Sequence, residues 1–169
     1  MVYREYSYIG SDNILKNLPE SSIRMSVQSP DDILKWMDKY HQTDYPVTVT
    51  FIIDTQERLW INERRSEHVL CAAGGNVLSA GEMTFNLSES VPSVIAVTNQ
   101  STGYCPEPES WWIVENTLNN ANIKHPGAFT MAYLFRKCEN CGTKNIVKDS
   151  WFYCGVCDAE LSQQWNFDL

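Results

Sequence analysis

The residues best suited to chemistry are four cysteines arranged in two pairs near the end of the chain. Cys138 and Cys141 are separated by two residues, as are Cys154 and Cys157, and twelve residues lie between the pairs. Two intervening residues allow a tight turn to place both thiolates on one edge of a tetrahedron, so two such turns complete a site of four sulfur ligands. The spacing predicts a bound zinc ion.

Zinc is not the only metal that four thiolates can hold. Iron in a rubredoxin-like site is an alternative, and disulfide bonds are another. Four sulfur ligands leave no open position for water, so the zinc is expected to stabilise the fold and not to catalyse. Gly142 and Gly155 lie where the backbone must turn. Residues 145–147 and 151–153 are expected to pair as the strands of a zinc ribbon.

A second group of polar residues, in the central part of the chain, is a candidate ligand site. His68 is suited to acid–base catalysis, and Glu82 in a predicted strand is suited to orienting His68 or stabilising positive charge. Arg64 and Arg65 are suited to holding an anionic group. The loop after the next predicted strand supplies a third catalytic candidate, Tyr104, and two candidate ligand-binding residues, Asn99 and Ser101.

Each of these residues also has a structural interpretation. His68 can be a structural histidine with satisfied hydrogen bonds, and Glu82 can simply pair with a neighbouring arginine. Residues 99–102 can form an ordinary turn that satisfies its own backbone. Cys71 and Cys105, the cysteines outside the two pairs, are most simply buried thiols.

The central segment carries a family resemblance. His68 to Met83 (HVLCAAGGNVLSAGEM) resembles part of the plant IQ-motif calmodulin-binding proteins, and similar segments occur in some bacterial toxin-like domains. The pattern continues in Ser101, Tyr104 and Pro106, whereas Gly103 stands where the pattern has a histidine.

The hydrophobic pattern predicts an α+β fold with a largely antiparallel sheet, two to three helices and a C-terminal zinc ribbon. Ser29 and Pro30 precede an apolar face at helical spacing and are typical of a helix start. Residues 46–53 alternate and are rich in β-branched side chains, as expected of a strand. Strands are predicted at 2–9, 46–53, 58–62, 77–85, 91–98 and 128–135, and helices at 12–18, 30–40 and 106–122.

Three parts are expected along the chain. Residues 1–135 form the α+β domain, residues 136–161 the ribbon, and residues 162–169 a tail that packs back because Trp165 and Phe167 are apolar. As a whole the chain resembles uncharacterised bacterial proteins that end in a four-cysteine ribbon and a Trp-Asn-Phe tail.

Charge and composition narrow the classes of partner. The net charge of −8 disfavours general nucleic-acid binding and attraction to anionic membranes. No apolar run approaches the roughly 20 residues that cross a bilayer, and the first twenty residues show no signal-peptide pattern. Paired cysteines that bind metal suit a reducing compartment, so the expected location is the cytoplasm.

These features predict a zinc-stabilised domain whose polar pocket binds a small anionic or nucleotide-like ligand. A transferase or hydrolase, of the ADP-ribosyl transfer or glycohydrolase type, is the most concrete form of this hypothesis. The alternative is a non-catalytic adaptor that docks a protein partner through the ribbon. A concave polar pocket favours the first, and an exposed apolar patch around Trp151 and Phe152 favours the second.

Overall fold

A five-stranded antiparallel sheet organises the body of the protein. The computed structural model describes residues 3–20, 23–40 and 46–168. Its strands are β1 (Met25–Val27), β2 (Val47–Asp54), β3 (Leu59–Glu63), β4 (Val77–Asn86), β5 (Ser93–Val97), β6 (Leu134–Lys137) and β7 (Lys144–Val147). Its α-helices are α1 (Asp12–Lys16), α2 (Pro30–Lys39), α3 (His68–Cys71) and α4 (Trp111–Asn120). The main sheet has the order β1-β3-β2-β4-β5, and β6 pairs with β7 in a separate small sheet.

Both faces of the main sheet are buried, which explains why the alternation at the start of β2 gives way to three apolar residues in a row, residues 51–53. Phe51 and Ile53 point to a core shared with α2 and α4. Ile52, between them, points to the opposite core, which contains Val69 of α3 and Tyr104. Successive strand side chains alternate between faces, so a central strand covered on both sides carries apolar side chains on both faces. The predicted α+β class with a largely antiparallel sheet is confirmed.

Local sequence signals account for the ends of several elements. Helix α2 begins at Pro30, and the Asp32 carboxylate accepts the backbone N–H groups of Gln28 at 2.9 Å and Ser29 at 3.2 Å. The pKa of Asp32 is lowered, first by the Gln28 N–H, because that bond favours the ionised carboxylate. Asp54 accepts the N–H groups of Gln56 and Arg58 and so closes the β2–β3 turn.

Within the described residues, no helix is long and apolar enough to cross a membrane.

The predicted first strand is wrong as a continuous element. Among its described residues, only Tyr6 pairs with the sheet, through a single bridge to Val77 with N–O distances of 2.8 and 3.0 Å. The chain then leaves β4, because the Ile9 N–H donates to the carbonyl of Gly103 at 2.8 Å. The aromatic residues that suggested a strand serve packing instead, with Tyr6 buried in the second core.

The predicted strand at residues 128–135 is also wrong over most of its length. Strand β6 begins at Leu134, and the backbone of Tyr133 is occupied by the side chain of Asn99. The Asn99 amide donates to the Tyr133 carbonyl at 2.7 Å and its oxygen accepts the Tyr133 N–H at 2.6 Å. At Tyr133 a side-chain amide therefore replaces the neighbouring strand, whereas Met131 forms an isolated bridge to Thr98.

The sheet also contains a close backbone approach, and this generates a prediction. A Cβ atom on Gly81 in β4 would overlap the carbonyl group of Thr98, which is backbone and cannot rotate away. We expect Gly81→Ala to lower the free energy of unfolding by about 3 kcal/mol, measured by urea denaturation. The matched control is Gly155→Ala, whose Cβ would meet only the Asn145 Oδ1 atom, at 3.8 Å. Equal stability of the two variants would contradict the prediction.

Candidate metal centre and polar cluster

Each cysteine pair lies in a tight turn, called a knuckle, and the two knuckles share the same backbone pattern. The carbonyl of the first cysteine accepts the N–H four residues later, from Gly142 to Cys138 at 2.8 Å and from Asp158 to Cys154 at 3.0 Å. Gly142 and Asp158 both have positive φ, 76° and 58°. The left-handed residue of the second knuckle is therefore Asp158, and not Gly155 as the sequence suggested.

The strands of the ribbon pair differently from the sequence prediction. Strand β7 pairs with β6, and not with residues 151–153. Tyr153 instead bridges Glu160, and the Leu161 N–H donates to Phe152. Each knuckle reverses the chain, so the segments before and after one cysteine pair face each other, whereas the segment between the pairs does not fold on itself.

The two knuckles bring the four cysteine sulfurs together. All four Sγ atoms of Cys138, Cys141, Cys154 and Cys157 lie within 4.8 Å of one another. The Cys138–Cys157 and Cys141–Cys154 distances are 3.5 and 3.6 Å. A tetrahedral zinc site with Zn–S bonds of about 2.3 Å has sulfur–sulfur edges of roughly 3.8 Å. The donor set therefore fits a tetrahedral ion that prefers thiolates.

The thiols are poised to ionise unequally. The Val156 N–H, followed by the Cys157 N–H, lowers the pKa of Cys154 to about 6. The Cys141 N–H also acts to lower the pKa of Cys138, but desolvation and neighbouring thiols raise it to about 11. Four thiolates this close repel one another, so full ionisation of the cluster requires a cation among them.

Three further side chains support the sulfurs, and they were not anticipated from the sequence. Asn145 donates to the Cys154 sulfur at 3.5 Å and accepts the Gly155 N–H at 3.0 Å, so it joins β7 to the second knuckle. Asn140 donates to the Cys157 sulfur across the centre at 3.4 Å. Thr143 Oγ1 lies 3.2 Å from the Cys141 sulfur. The sequence signal that could have predicted them is the presence of polar residues next to the paired cysteines, because sulfur ligands need hydrogen-bond donors.

The ribbon is fastened to the body by a buried ion pair. Arg136 is 3% exposed and binds both carboxylate oxygens of Glu107, at 2.7 and 3.3 Å. Lys144 donates to the carbonyls of Ile9 and Thr102 at 3.1 and 2.9 Å. Arg136 and Lys144 therefore both serve the junction between the ribbon and the body.

In the polar cluster, Glu82 pairs with Arg64. The Arg64 Nε and Nη2 atoms lie 3.1 and 3.3 Å from the two oxygens of Glu82, and the arginine side chain is 63% exposed. His68 begins α3, and its Nε2 atom lies 2.9 Å from the carbonyl of Gly81, the residue before Glu82. Burial lowers the pKa of His68, which favours the neutral ring donating this bond.

Asn99 and Tyr104 use their polar atoms inside the protein. Asn99 is fully buried and donates to the carbonyls of Pro106 and Tyr133. Tyr104 is fully buried and donates to the carbonyl of Gly75 at 2.7 Å. Burial raises the pKa of Tyr104 well above its ordinary value. These contacts place both residues in the framework of the fold, and their roles toward a ligand stay predictions.

The remaining candidates, Ser101 and Arg65, occupy different surroundings. Ser101 is buried and its hydroxyl has no hydrogen-bond partner among the described residues. Arg65 is exposed and, with Arg64 and Glu63, lines a cleft of about 240 Å³ beside β2. The structure thus brings Arg64 and Glu82 into direct contact and sets His68 next to them.

Comparison with protein-family models, with curated proteins and with solved structures found no match for this chain. The resemblances proposed from the central segment and from the C-terminal ribbon gain no support from these comparisons.

The metal centre predicts that replacing a cysteine of the cluster removes the metal, whereas replacing a cysteine outside the cluster does not. We expect purified protein to contain about one zinc per chain, and Cys154→Ser to lose it together with much of the ribbon's stability, because metal binding there is folding free energy. Metal content is measured by mass spectrometry, and stability by thermal unfolding. The control is Cys105→Ser, which changes a buried thiol outside the cluster and should keep the metal. Metal-free wild type that melts unchanged after zinc addition would contradict the prediction.

The lowered pKa of the half-buried His68 predicts a pH-dependent stability. The unfolded chain takes up a proton near pH 6.5 that the folded protein resists, so the free energy of unfolding falls as the pH drops below 6.5. We expect His68→Gln, which keeps a donor for Gly81, to remove about 1 kcal/mol of this loss between pH 7.5 and 5.5. Urea denaturation at both pH values measures it. Parallel losses in wild type and variant would show that His68 does not resist protonation.

Proposed function

We propose that this chain is a zinc-stabilised interaction module that docks a protein partner through the ribbon. Cys138, Cys141, Cys154 and Cys157 hold the ion, and the four sulfurs fill its tetrahedral shell. A filled shell leaves no position for substrate, so the ion's role is to make a 26-residue segment rigid. A rigid ribbon can present side chains that a segment of this size could not otherwise hold in place.

The observation that carries the proposal is the apolar surface of the ribbon. The ribbon surface is defined by Ile146, Trp151, Tyr153 and Val156, which are 42%, 68%, 45% and 69% exposed. The rings of Trp151 and Tyr153 contact each other with centroids 4.8 Å apart. Phe152 lies between them in sequence but packs toward the ribbon's own core. Exposed, mutually supported aromatic rings are typical of binding hot spots.

Exposed large hydrophobic side chains are more concentrated in the ribbon than in the body. Four of the eleven exposed large hydrophobic side chains in the described residues fall within residues 146–156. The Lys, Arg, Asp and Glu side chains of residues 136–161 balance, four basic against four acidic, and a divalent zinc ion held by the four thiolates leaves the ribbon with a small net negative charge. A ribbon with protruding rings and no excess of positive charge suits an apolar contact with a protein better than electrostatic attraction to a polyanion.

A second candidate function is binding of a small anionic or nucleotide-like ligand, with transferase or hydrolase chemistry. The observation that favours it is the cleft beside β2, where Arg64 and Arg65 lie together. We rank it second because Arg64 already binds Glu82, while Asn99 and Tyr104 donate to carbonyls of the chain itself. Native mass spectrometry of purified protein distinguishes the two. A co-purified ligand lost in Arg65→Ala but kept in Trp151→Ala would favour this second function.

The docking function predicts that one exposed tryptophan matters and another does not. A photo-crosslinking residue at position 151 should capture a partner in cells, which is then purified for affinity measurements. We expect Trp151→Ala to weaken its binding about thirtyfold, as at a hot spot, while zinc content and melting stay unchanged. The control is Trp112→Ala, a 56% exposed tryptophan on α4 in the body. Equal effects at 112 and 151, or no crosslink specific to 151, would reject the docking proposal.

A further inference from the structure

The C-terminal tail reaches the residues on either side of a metal ligand. Asn166 is 6% exposed, and its Oδ1 atom accepts the Lys137 N–H at 2.9 Å. Its Nδ2 atom donates to the Lys137 carbonyl at 2.8 Å and lies 3.5 Å from Glu139 Oε1. Lys137 and Glu139 are the neighbours of Cys138 in the chain, so one amide side chain contacts both of them.

Contacts on both sides of Asn166 hold it in place. Trp165 donates its Nε1 hydrogen to the Cys105 carbonyl at 2.8 Å, and its ring meets Tyr6 edge to face with centroids 5.5 Å apart. Phe167 is buried in a cluster with Cys105 and Phe135. The tail is therefore anchored on the body, and Asn166 extends that anchor to the ribbon.

Strand β6 connects the contacts of the tail to the first metal ligand. Phe135 packs under the tail, Arg136 donates to the Gln163 carbonyl at 3.0 Å, and Lys137 pairs with Asn166. The next residue, Cys138, is the first ligand of the metal centre. The position of that sulfur is thus set by a strand whose last residues are held by the tail.

We propose that Asn166 is a positioning residue of the metal centre, through which docking of the tail and binding of the ion stabilise each other. The proposal rests on the metal binding described under Proposed function and is independent of the docking partner. Fixing the Lys137 and Glu139 segments lowers the entropy that Cys138 loses on binding the ion. Linkage is reciprocal. If the docked tail raises the affinity for the ion by some factor, the bound ion must raise the equilibrium constant for docking of the tail by the same factor.

The first test is zinc affinity, measured by competition with a chromophoric chelator on the full-length chain. We expect Asn166→Ala to raise the zinc Kd about tenfold, in the range usual for residues that support metal ligands. Asn166→Asp keeps an acceptor for the Lys137 N–H and loses the amide donor, so its Kd should lie between the two. The matched control is Gln164→Ala, an exposed amide two residues away, whose Kd should equal that of the wild type.

The second test separates positioning from a general structural role. Zinc should slow hydrogen–deuterium exchange at residues 162–168 in the wild type, and this protection should shrink in Asn166→Ala. The melting-temperature gain on zinc addition should shrink as well. A merely structural residue would lower the melting temperature of the zinc-free and zinc-loaded forms equally and leave the Kd unchanged.

The outcomes are distinct. The inference would be overturned if the wild type and Asn166→Ala bound zinc with equal affinity and zinc did not change hydrogen–deuterium exchange in the tail. That result would leave the metal centre itself unaffected. Wild type that binds no metal would overturn both. Should Asn166→Ala fold poorly, the full-length Asn166→Asp variant provides the affinity comparison, and a zinc Kd equal to that of the wild type would then overturn the inference.

Discussion

Four sulfur atoms within 4.8 Å of one another are the constraint on which the C-terminal part of the protein depends. Thiolates at this separation repel strongly, and neutral thiols form only weak hydrogen bonds, so the arrangement is sustained when a cation neutralises it. The two knuckles bend in the same way because each must supply two sulfurs to one centre. Asn140 crosses from the first knuckle to the second, and Asn145 joins β7 to the second knuckle, so that the pairs cannot separate independently.

The junction between ribbon and body transmits this constraint. Arg136 and Glu107 form an ion pair that is largely removed from water, and the arginine also donates to the carbonyls of Phe135 and Gln163. Breaking a buried pair by removing one partner costs several kcal/mol, because a charge is left without compensation. The orientation of the ribbon surface relative to the body is therefore fixed by charge geometry at β6. The tail adds apolar contacts to the same strand.

Hydrogen bonding shows how the polar side chains of the central segment support the fold. Asn99 substitutes for a missing strand neighbour at Tyr133, Tyr104 ties the second core to the Gly75 turn, and His68 satisfies the Gly81 carbonyl. A buried backbone carbonyl without a donor costs free energy, so polar side chains placed beside irregular backbone are readily recruited to satisfy it. Arg64 and Glu82 keep part of their surface exposed and bind each other, and Arg65 is exposed as well.

The sequence by itself determined the local features of this protein. The Ser29-Pro30 helix start, the turn at Asp54, the alternation of β2 and the spacing of the four cysteines each depend on neighbours within a few residues, where propensity and hydrogen-bond chemistry act directly. Tertiary structure decided what depended on distant partners. Residues near 128–133 are apolar enough for a strand, yet Asn99 takes the pairing groups of Tyr133, and Met131 makes only an isolated bridge to Thr98. The ribbon pairs β6 with β7 because the knuckles reverse the chain. The contact of Asn166 with both neighbours of Cys138 joins positions almost thirty residues apart, and no local pattern encodes such a contact.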